Sequence, residues 1–217
     1  MFVLSCEPMP TETVTLRPVT AADAEALAEL IIQLYHTEVP GGLRAPLAGQ
    51  RRLFRYLVEH ELASGARGRF LAVGEGGAPV GSASVRLHGD TPLTSLPPRL
   101  LSVAARSVGL NDTLRMLGTV LRGSLVGETG LRRGECFVYS VVVDEAHRGR
   151  GVGQAMMGQL EEQARRAGAH SALLRVIVGN ERARRLYLRL GYRVVSRTPP
   201  WADWLGLPSE LMRKELS

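Results

Sequence analysis

Apolar and polar residues follow two periods along this chain, and together these periods divide most of it into strands and helices. Alternation at every second residue and short β-branched runs predict strands over 13–18, 69–73, 80–87, 136–144, 171–177, 192–197 and 210–216. Apolar residues spaced three and four apart predict helices over 20–36, 48–63, 151–168 and 180–190. Strands and helices that mix along the whole chain indicate the α/β class.

Residues 89–134 depart from this regular order. A proline-rich loop is followed by two short helices, predicted over 99–108 and 111–126. The second helix carries an apolar stripe of Leu114, Leu117, Val120 and Leu121. Residues 99–133 hold six arginines against two acidic residues. A basic amphipathic segment of this kind can pack as a lid over a neighbouring site, form a dimer contact or lie on an anionic membrane, and the sequence leaves all three open.

The turn between the strand 136–144 and the next helix carries the clearest chemical signal. Arg148, Gly149, Arg150, Gly151 and Gly153 follow a buried strand and lead directly into a helix. Backbone N–H groups at a helix N-terminus have no partner within the helix and favour an anion, and glycine lets a phosphate approach the chain closely. The turn therefore predicts a phosphorylated ligand. His147, just before the turn, is expected to face solvent.

The spacing of this turn separates it from common nucleotide loops. It is not the G-x-G-x-x-G of a dinucleotide fingerprint, and it lacks the Gly-Lys-Ser/Thr of a nucleoside triphosphate loop. The pattern Arg148-x-x-Gly151-x-Gly153 instead resembles the R/Q-x-x-G-x-G/A pyrophosphate loop of the GNAT superfamily of acetyl-CoA-dependent N-acetyltransferases.

A second segment, 176–192, strengthens the resemblance. Asn180 is a good helix N-cap after a strand, and Gly191 is a typical terminator. Between them, Ala183, Leu186 and Tyr187 follow helical spacing, and the whole segment resembles the N-x-x-A-x-x-L-Y-x-x-x-G-F/Y block of the same superfamily. The two blocks stand in the right order, separated by one helix and one strand. The resemblance covers residues 136–197 well and 13–88 more loosely.

The resemblance implies an α/β fold of the GNAT type, which is a mixed, mostly antiparallel sheet flanked by helices. The strand 136–144 would be followed by a V-shaped split, and 89–134 would be a helical insertion between the third and fourth strands of a single N-acetyltransferase domain over 1–217. The implied reaction moves an acetyl group from acetyl-CoA to a primary amine of a small molecule or peptide by direct attack in a ternary complex. The alternative is a non-catalytic acyl-CoA-binding or regulatory module of the same fold.

The resemblance also assigns roles to residues of this chain. Tyr187 would be catalytic and would donate a proton as the thiolate leaves. Main-chain groups of one strand, the turn that follows it and one asparagine would bind acetyl-CoA. These residues are Val141, Val143, Arg148, Gly149, Arg150, Gly151, Val152, Gly153 and Asn180.

The general base is not identified by the sequence. Many relatives place a carboxylate on the strand before the loop or five residues ahead of the asparagine, but these places hold Tyr139 or Ser140, and Arg175. Several alternatives remain open: Glu38, Glu135, Asp203, or a water relayed by Tyr139 or Ser140.

The composition limits the binding partners and the cellular compartment that can be expected for this protein. The net charge of +6 invites a nucleic-acid interpretation, but only one of the 27 basic residues is a lysine and aromatic residues make up only 5% of the chain, so base-stacking platforms are scarce.

Cys6 and Cys136 suggest neither a metal site nor a disulfide framework, and Cys136 is expected to be a buried small hydrophobe. We expect a cytoplasmic protein with no membrane span, no metal and no nucleic-acid partner, and leave a homodimer open. Trp201 and Trp204 could line the acceptor pocket or cap an edge of the core.

Overall fold

A computed structural model of the protein describes residues 12–65, 67–90, 97–125, 130–198 and 208–216. The strands within these ranges are β1 Thr15–Pro18, β2 Arg69–Val73, β3 Pro79–Leu87, β4 Glu135–Val143, β5 Ser171–Ile177, β6 Arg193–Arg197 and β7 Ser209–Glu215. The helices are α1 Ala24–Glu38, α2 Leu47–Ala63, α3 Leu100–Leu125, α4 Val152–Arg166 and α5 Glu181–Arg189. Outside the insertion, these bounds lie close to those predicted from apolar spacing. Cys6, Trp201, Asp203 and Trp204 lie outside the described residues.

The strands form one sheet in the order β1-β2-β3-β4-β5-β7-β6. All neighbouring pairs are antiparallel except β4 with β5, so the expected mixed, mostly antiparallel sheet is confirmed. The parallel pair begins at Glu135 and Ser171 and ends at Val138 and Leu174, although both strands continue further. The two strands therefore separate in the middle of the sheet, which is the V-shaped split that the resemblance implied.

Helix α4 covers one face of the sheet. Its residues Val152, Met156, Leu160 and Ala164 recur at every fourth position, and each is at most 2% exposed. They pack in one cluster with buried strand residues such as Val138. Burial of a large aliphatic side chain contributes about 1.5–3 kcal/mol, so this stripe fixes the helix firmly on the sheet.

Helices α1, α2 and α3 form a layer with its own core. Leu27 of α1 and Leu53 of α2 are fully buried and pack with Ala104 and Val108 of α3. A smaller cluster, in which Leu30 of α1 meets Leu71 of β2 and Val142 of β4, joins this layer to the sheet. The insertion is therefore part of the α1–α2 layer.

The insertion differs from its prediction in one respect. In place of two separate short helices, the structure has one helical element, α3, which is interrupted at Gly109 where φ is 81° and ψ is 164°. The predicted apolar stripe does not pack inward, since Leu114 is 56% and Leu121 is 58% exposed. Among the described helices, none combines the length and apolarity that a bilayer crossing requires.

Two contacts hold α3 against the helices before it. The Oδ2 atom of Asp112 accepts hydrogen bonds from the backbone N–H groups of Arg44 (2.6 Å) and Ala45 (2.7 Å), between α1 and α2. Gly49 of α2 lies so close to α3 that a Cβ atom there would be 2.0 Å from the carbonyl oxygen of Ser107. A side chain at this position would therefore push the two helices apart.

Polar groups are also paired beneath α4. Glu161 of α4 accepts a hydrogen bond from Lys214 Nζ of β7 at 2.5 Å, and the same ammonium lies 5.7 Å from the centre of the Tyr192 ring. Cys136 is completely buried, as expected, and burial raises the pKa of its thiol to about 12. These groups stabilise the region between α4 and the sheet.

Substitution of Gly49 by alanine tests the packing of α3 on α2. We expect Gly49→Ala to lower the free energy of unfolding by about 1–3 kcal/mol, because the added Cβ overlaps the Ser107 carbonyl oxygen. The measurement is urea unfolding of the full chain. Gly158→Ala is the matched control, since a Cβ at that position in α4 meets nothing within 4 Å. There the higher helix propensity of alanine predicts a gain of up to about 1 kcal/mol. Equal effects of the two substitutions would contradict the close approach.

Candidate active site

The candidate site opens where β4 leaves β5. Beyond Val138, the edge of β4 that faced β5 has no strand partner among the described residues, and this stretch contains Val141 and Val143. Both residues line a cleft of about 290 Å³. Main-chain groups on the open edge of a strand can bind an extended ligand as a neighbouring strand would. The placement of these two residues is thus compatible with the role that the resemblance implied for them.

A β-bulge lies at the same point of β4. Tyr139 is paired with Ser84 and Val142 with Ser82, so β4 contains one residue more than β3 over this stretch. Within it, Ser140 has a φ of 50°, which is uncommon for a residue other than glycine. A bulge bends its strand and increases the local twist. The bulge therefore helps β4 to turn away from β5.

The glycine-rich turn has the backbone shape of an anion cradle. Gly149 and Gly151 have φ values of 87° and 81°, in the region that favours glycine, and Gly151 is the N-cap of α4. The first hydrogen bond of the helix runs from Ala155 N to the Gly151 carbonyl oxygen at 3.0 Å. The N–H groups of the three residues between them have no acceptor within the helix and point along its axis toward the cleft.

Helix α1 holds the start of this turn. The side-chain amide of Gln33 donates to Asp144 Oδ2 at 2.9 Å and accepts from the backbone N–H of Glu145 at 2.9 Å. The Oδ1 atom of Asp144 also accepts from the N–H of Ala146 at 2.9 Å. This amide clasp fixes the position of α1 relative to the end of β4.

A second contact holds the turn from the side of β1. The backbone N–H of Glu12 donates to the Arg150 carbonyl oxygen at 2.9 Å, and its carboxylate lies 2.9 Å from Nδ1 of His147. His147 is therefore half-buried and paired, and the expectation that it faces solvent was wrong. The sequence did not indicate this pair because 135 residues separate its members.

The cleft is positively charged. Arg148, Arg182 and Arg189 line it, and no acidic residue is among the described residues that do. The Nε atom of Arg148 donates to the Val143 carbonyl oxygen at 3.0 Å, so this guanidinium is held at the mouth of the cradle while its terminal nitrogens remain available to an anion. Arg150 is exposed and does not line the cleft. The lining thus favours a ligand with several negative charges.

Asn180 is the N-cap of α5 and also lines the cleft. Its Oδ1 atom accepts a hydrogen bond from the N–H of Ala183 at 3.2 Å. The amide nitrogen on the same side chain can then donate to a ligand. The capping role and the predicted binding role are compatible.

Tyr187 is a buried residue of the cleft lining. It is 6% exposed, and its ring meets that of Tyr192 edge-on with 5.9 Å between the ring centres. Burial, and to a smaller extent the charge of Glu38, raises the pKa of the Tyr187 hydroxyl above its ordinary value. The hydroxyl is therefore protonated at neutral pH and can act as a proton donor.

Several residues of the site were not anticipated from the sequence. Helix α1 contributes Leu34 and Thr37, and α4 contributes Gln154. Helix α5 contributes Arg182 and Arg189 in addition to Asn180 and Tyr187. The α5 arginines could have been found from their helical spacing to Asn180 and Tyr187, whereas α1 reaches the cleft only through the tertiary fold. All of the predicted cofactor-binding residues except Arg150 line this single cleft.

At the positions where relatives carry a carboxylate, this chain carries residues of other types. Burial raises the pKa of Tyr139 and lowers the pKa of the Arg175 guanidinium, whose side chain donates to Ser209 Oγ at 3.3 Å. Glu135 accepts a hydrogen bond from Arg213 at 3.0 Å and is buried in that ion pair. None of these three groups lines the cleft among its described residues.

Solved structures of other proteins share this fold. The Salmonella typhimurium protein yncA, solved with its cofactor acetyl-CoA, aligns with a TM-score of 0.55 at 17% identity, covering 94% of this chain and 95% of that one. A Corynebacterium glutamicum protein described as histone acetyltransferase HPA2 and related acetyltransferase aligns with a TM-score of 0.58 at 22% identity, covering 97% and 98%. At these identities the likeness shows the fold, with its split sheet and flanking helices.

Curated relatives match shorter stretches. An uncharacterised N-acetyltransferase of Bacillus subtilis is 40% identical over 62 residues, which are 29% of this chain and 40% of that protein. An acetyltransferase of Agrobacterium fabrum is 34% identical over 91 residues, or 42% of this chain and 64% of that protein. The L-methionine sulfoximine/L-methionine sulfone acetyltransferase of Salmonella typhimurium is 33% identical over 73 residues, or 32% and 43%. The chain spans less than two thirds of the length of each of these relatives.

The sequence model of the acetyltransferase (GNAT) family matches a longer region, residues 31–192. This region is more than half of the chain and includes the second half of α1, the cradle, Asn180 and Tyr187. The chain therefore belongs to the GNAT acetyltransferase family, whose enzymes use acetyl-CoA as the co-substrate.

Proposed function

We propose that the protein transfers an acetyl group from acetyl-CoA to a primary amine by direct attack within a ternary complex. The observation that carries the proposal is the single cleft that joins the cradle, the open edge of β4 and Tyr187. An anion-binding turn and a proton donor that line one cleft fit a long phosphorylated ligand with a reactive terminus.

The residues of the cleft fit the successive parts of acetyl-CoA. The free N–H groups at the start of α4, with Arg148, would bind the diphosphate. The pantetheine arm would lie along Val141 and Val143, on the edge of β4 that has no strand partner among the described residues, and the Asn180 amide would donate to it. When bound, acetyl-CoA supplies the thioester that acylates the amine.

Glycine at the cradle is part of this fit. A Cβ atom at Gly153 would lie 3.1 Å from Leu186 and 3.6 Å from Val143, inside the lining of the cleft. The positive φ values of Gly149 and Gly151 present backbone N–H groups rather than side chains to a ligand. The backbone itself is thus shaped to bind the diphosphate.

Tyr187 is placed to act on the leaving group. Its protonated hydroxyl can give its proton to the thiolate sulfur as the carbon–sulfur bond breaks. The acceptor is a primary amine of a small molecule or a peptide. One relative is named for L-methionine sulfoximine and L-methionine sulfone, and a structural neighbour is titled a spermidine N-acetyltransferase, so the fold serves acceptors of very different charge.

A non-catalytic acyl-CoA-binding module is the second candidate. The absence of carboxylates at residues 139, 140 and 175 favours it. A buried tyrosine in the lining of the cleft favours the enzyme instead. Thiol release measured with acetyl-CoA and a panel of amines separates the two, because a module binds the thioester without releasing thiol on any amine.

Substitution of the α4 N-cap tests the cradle. We expect Gly151→Ala to weaken acetyl-CoA binding about tenfold or more, because a left-handed conformation costs a residue with a Cβ about 1–2 kcal/mol and the turn would have to change shape to relieve this cost. Isothermal titration calorimetry of the folded variant is the measurement. Gly158→Ala, on the same helix and in open space, should bind like the parent protein. Unchanged affinity in Gly151→Ala would argue against binding of the diphosphate at this turn.

Removal of the Tyr187 hydroxyl tests the proton donor. We expect Tyr187→Phe to lower kcat about 100-fold while the Kd for acetyl-CoA changes by less than about threefold, because the hydroxyl acts on the leaving sulfur rather than in cofactor binding. The measurements are steady-state thiol release and calorimetry. Tyr192→Phe is the matched control, since it removes a neighbouring tyrosine hydroxyl outside the cleft lining. Equal kcat values for Tyr187→Phe and the parent would rule out this role.

A further inference from the structure

Glu38 lies at the end of the helix that forms one wall of the cleft, although it is not itself among the described lining residues. It is the last residue of α1, and Leu34 and Thr37 on the same final turns line the cleft itself. The amide clasp of Gln33 on Asp144 and Glu145 fixes this part of α1 against the end of β4. Glu38 follows Thr37 directly and lies four residues, or about one helical turn, after Leu34, so it is on the same side of α1 as a residue that lines the cleft.

The surroundings of Glu38 differ from those of other acidic residues whose side chains are largely buried. Asp23, Glu61, Glu135, Glu161 and Glu210 each form an ion pair with an arginine or lysine. Glu38 forms neither a hydrogen bond nor an ion pair with any described residue, and burial raises its pKa to about 7. A carboxylate that is partly buried without a partner is costly to the fold, and such groups cluster at functional sites.

Glu38 and Tyr187 are electrostatically coupled. The charge of Glu38 is one of the two causes that raise the pKa of Tyr187, the other and larger one being burial. The two groups come from different elements, α1 and α5. One of these groups is a carboxyl that ionises near neutrality, and the other is a hydroxyl that stays protonated. Such a pair can act as the base and the acid of one reaction.

We propose that Glu38 is the general base that removes a proton from the acceptor amine. The proposal rests on the acetyl transfer proposed above and names the residue that completes it. Glu38 does not occupy either of the places where many relatives carry a carboxylate, which here hold Tyr139 or Ser140, and Arg175. It belongs to a different element, the end of α1, whose residues Leu34 and Thr37 line the cleft.

The proton transfers balance over one cycle. Glu38 Oε accepts a proton from the ammonium group, and the freed nitrogen lone pair attacks the thioester carbonyl carbon. The carbon–nitrogen bond forms and the carbon–sulfur bond breaks, the bonding pair leaves with sulfur, and sulfur takes the Tyr187 proton. The surplus N–H proton of the new amide passes to the Tyr187 oxygen, directly or through water, and Glu38 releases its proton to solvent. The products are the amide, the thiol and one proton.

Other titratable groups near α1 and the cleft can be told apart from Glu38. The arginines of the lining, Arg148, Arg182 and Arg189, stay charged over the working range of pH. His36 is turned toward α2, where its Nε2 lies 2.7 Å from Gln50 Oε1, and His147 pairs with Glu12 behind the cradle. A pH step that is lost on substitution of Glu38 alone therefore belongs to Glu38.

The decisive experiment compares pH profiles of kcat for the full chain, Glu38→Gln and Glu38→Asp. The acceptor probes are L-methionine sulfone, spermidine and a lysine-containing peptide, and those that the parent protein acetylates are used. In the parent protein, kcat should rise with pH and level off above about 7, because Glu38 must be ionised to accept a proton. In Glu38→Gln, kcat at pH 7 should fall about 100-fold or more and should continue to rise toward alkaline pH as free amine accumulates. Glu38→Asp should restore part of kcat.

Glu25→Gln is the matched control. It neutralises an acidic residue in the first turn of the same helix whose side chain is 80% exposed and remote from the cleft end of α1. Its pH profile should match that of the parent protein, and all variants should retain the parent Kd for acetyl-CoA. A Glu38→Gln profile that still levels off near pH 7 with nearly unchanged kcat would overturn the assignment.

Thermal stability gives a readout that is independent of turnover. The folded state binds the Glu38 proton more tightly than the unfolded state, so the stability from protonated Glu38 is present at low pH and is lost as pH rises through about 7. The Tm of Glu38→Gln relative to the parent should therefore increase with pH over this range. A Tm difference that does not change with pH would show that Glu38 is an ordinary solvated acid and would overturn the proposal.

The two proposals fail in different ways. If the parent protein binds acetyl-CoA and releases no thiol with any amine, the proposed function fails and the assignment of Glu38 fails with it. If the parent protein acetylates an amine and Glu38→Gln behaves like Glu25→Gln, only the assignment of Glu38 fails.

Discussion

The separation of β4 from β5 is the constraint on which the rest of the site depends. The two strands are hydrogen-bonded as far as Val138 and Leu174, and the bulge at Ser140 then turns β4 away. Because α4 follows β4 and α5 follows β5, the N-termini of both helices are brought to the same opening. The charge of the cleft, the cradle and the buried tyrosine are all consequences of where these two strands stop pairing.

The insertion contributes to the site indirectly. It does not line the cleft among its described residues, but Asp112 holds the backbone of Arg44 and Ala45, which connects α1 to α2. Gly49 allows α3 to lie directly on α2. The helical layer that carries Glu38 and Thr37 is thus supported from behind by a segment that interrupts the regular alternation of the chain.

Local signals in the sequence were sufficient to predict a set of residues that, apart from Arg150, line one cleft. The glycines of the cradle, the Asn180 cap and the spacing of Tyr187 all depend on neighbours within a few residues, and the family membership and the mixed sheet that they predicted are confirmed. The split followed from the same resemblance. In each case the chemistry of a short segment fixes its own backbone.

The remaining features depend on contacts between distant residues. The end of α1 reaches the cleft only after the sheet has formed, and the pair of His147 with Glu12 joins segments that are far apart in sequence. Ser140 adopts a left-handed conformation that is not expected from its residue type. The exposed leucines of α3 follow helical spacing as a buried stripe would, so periodicity could not tell which way the helix faces.

The pairing of Lys214 with Glu161 has a chemical consequence for a protein that holds a reactive thioester. Lys214 is the single lysine of the sequence, and its ammonium is held by a carboxylate and stacked beside an aromatic ring. Arginine side chains do not lose their proton and so are poor nucleophiles toward acyl groups. A surface whose positive charge is almost wholly guanidinium therefore resists unwanted self-modification while still attracting an anionic acyl carrier.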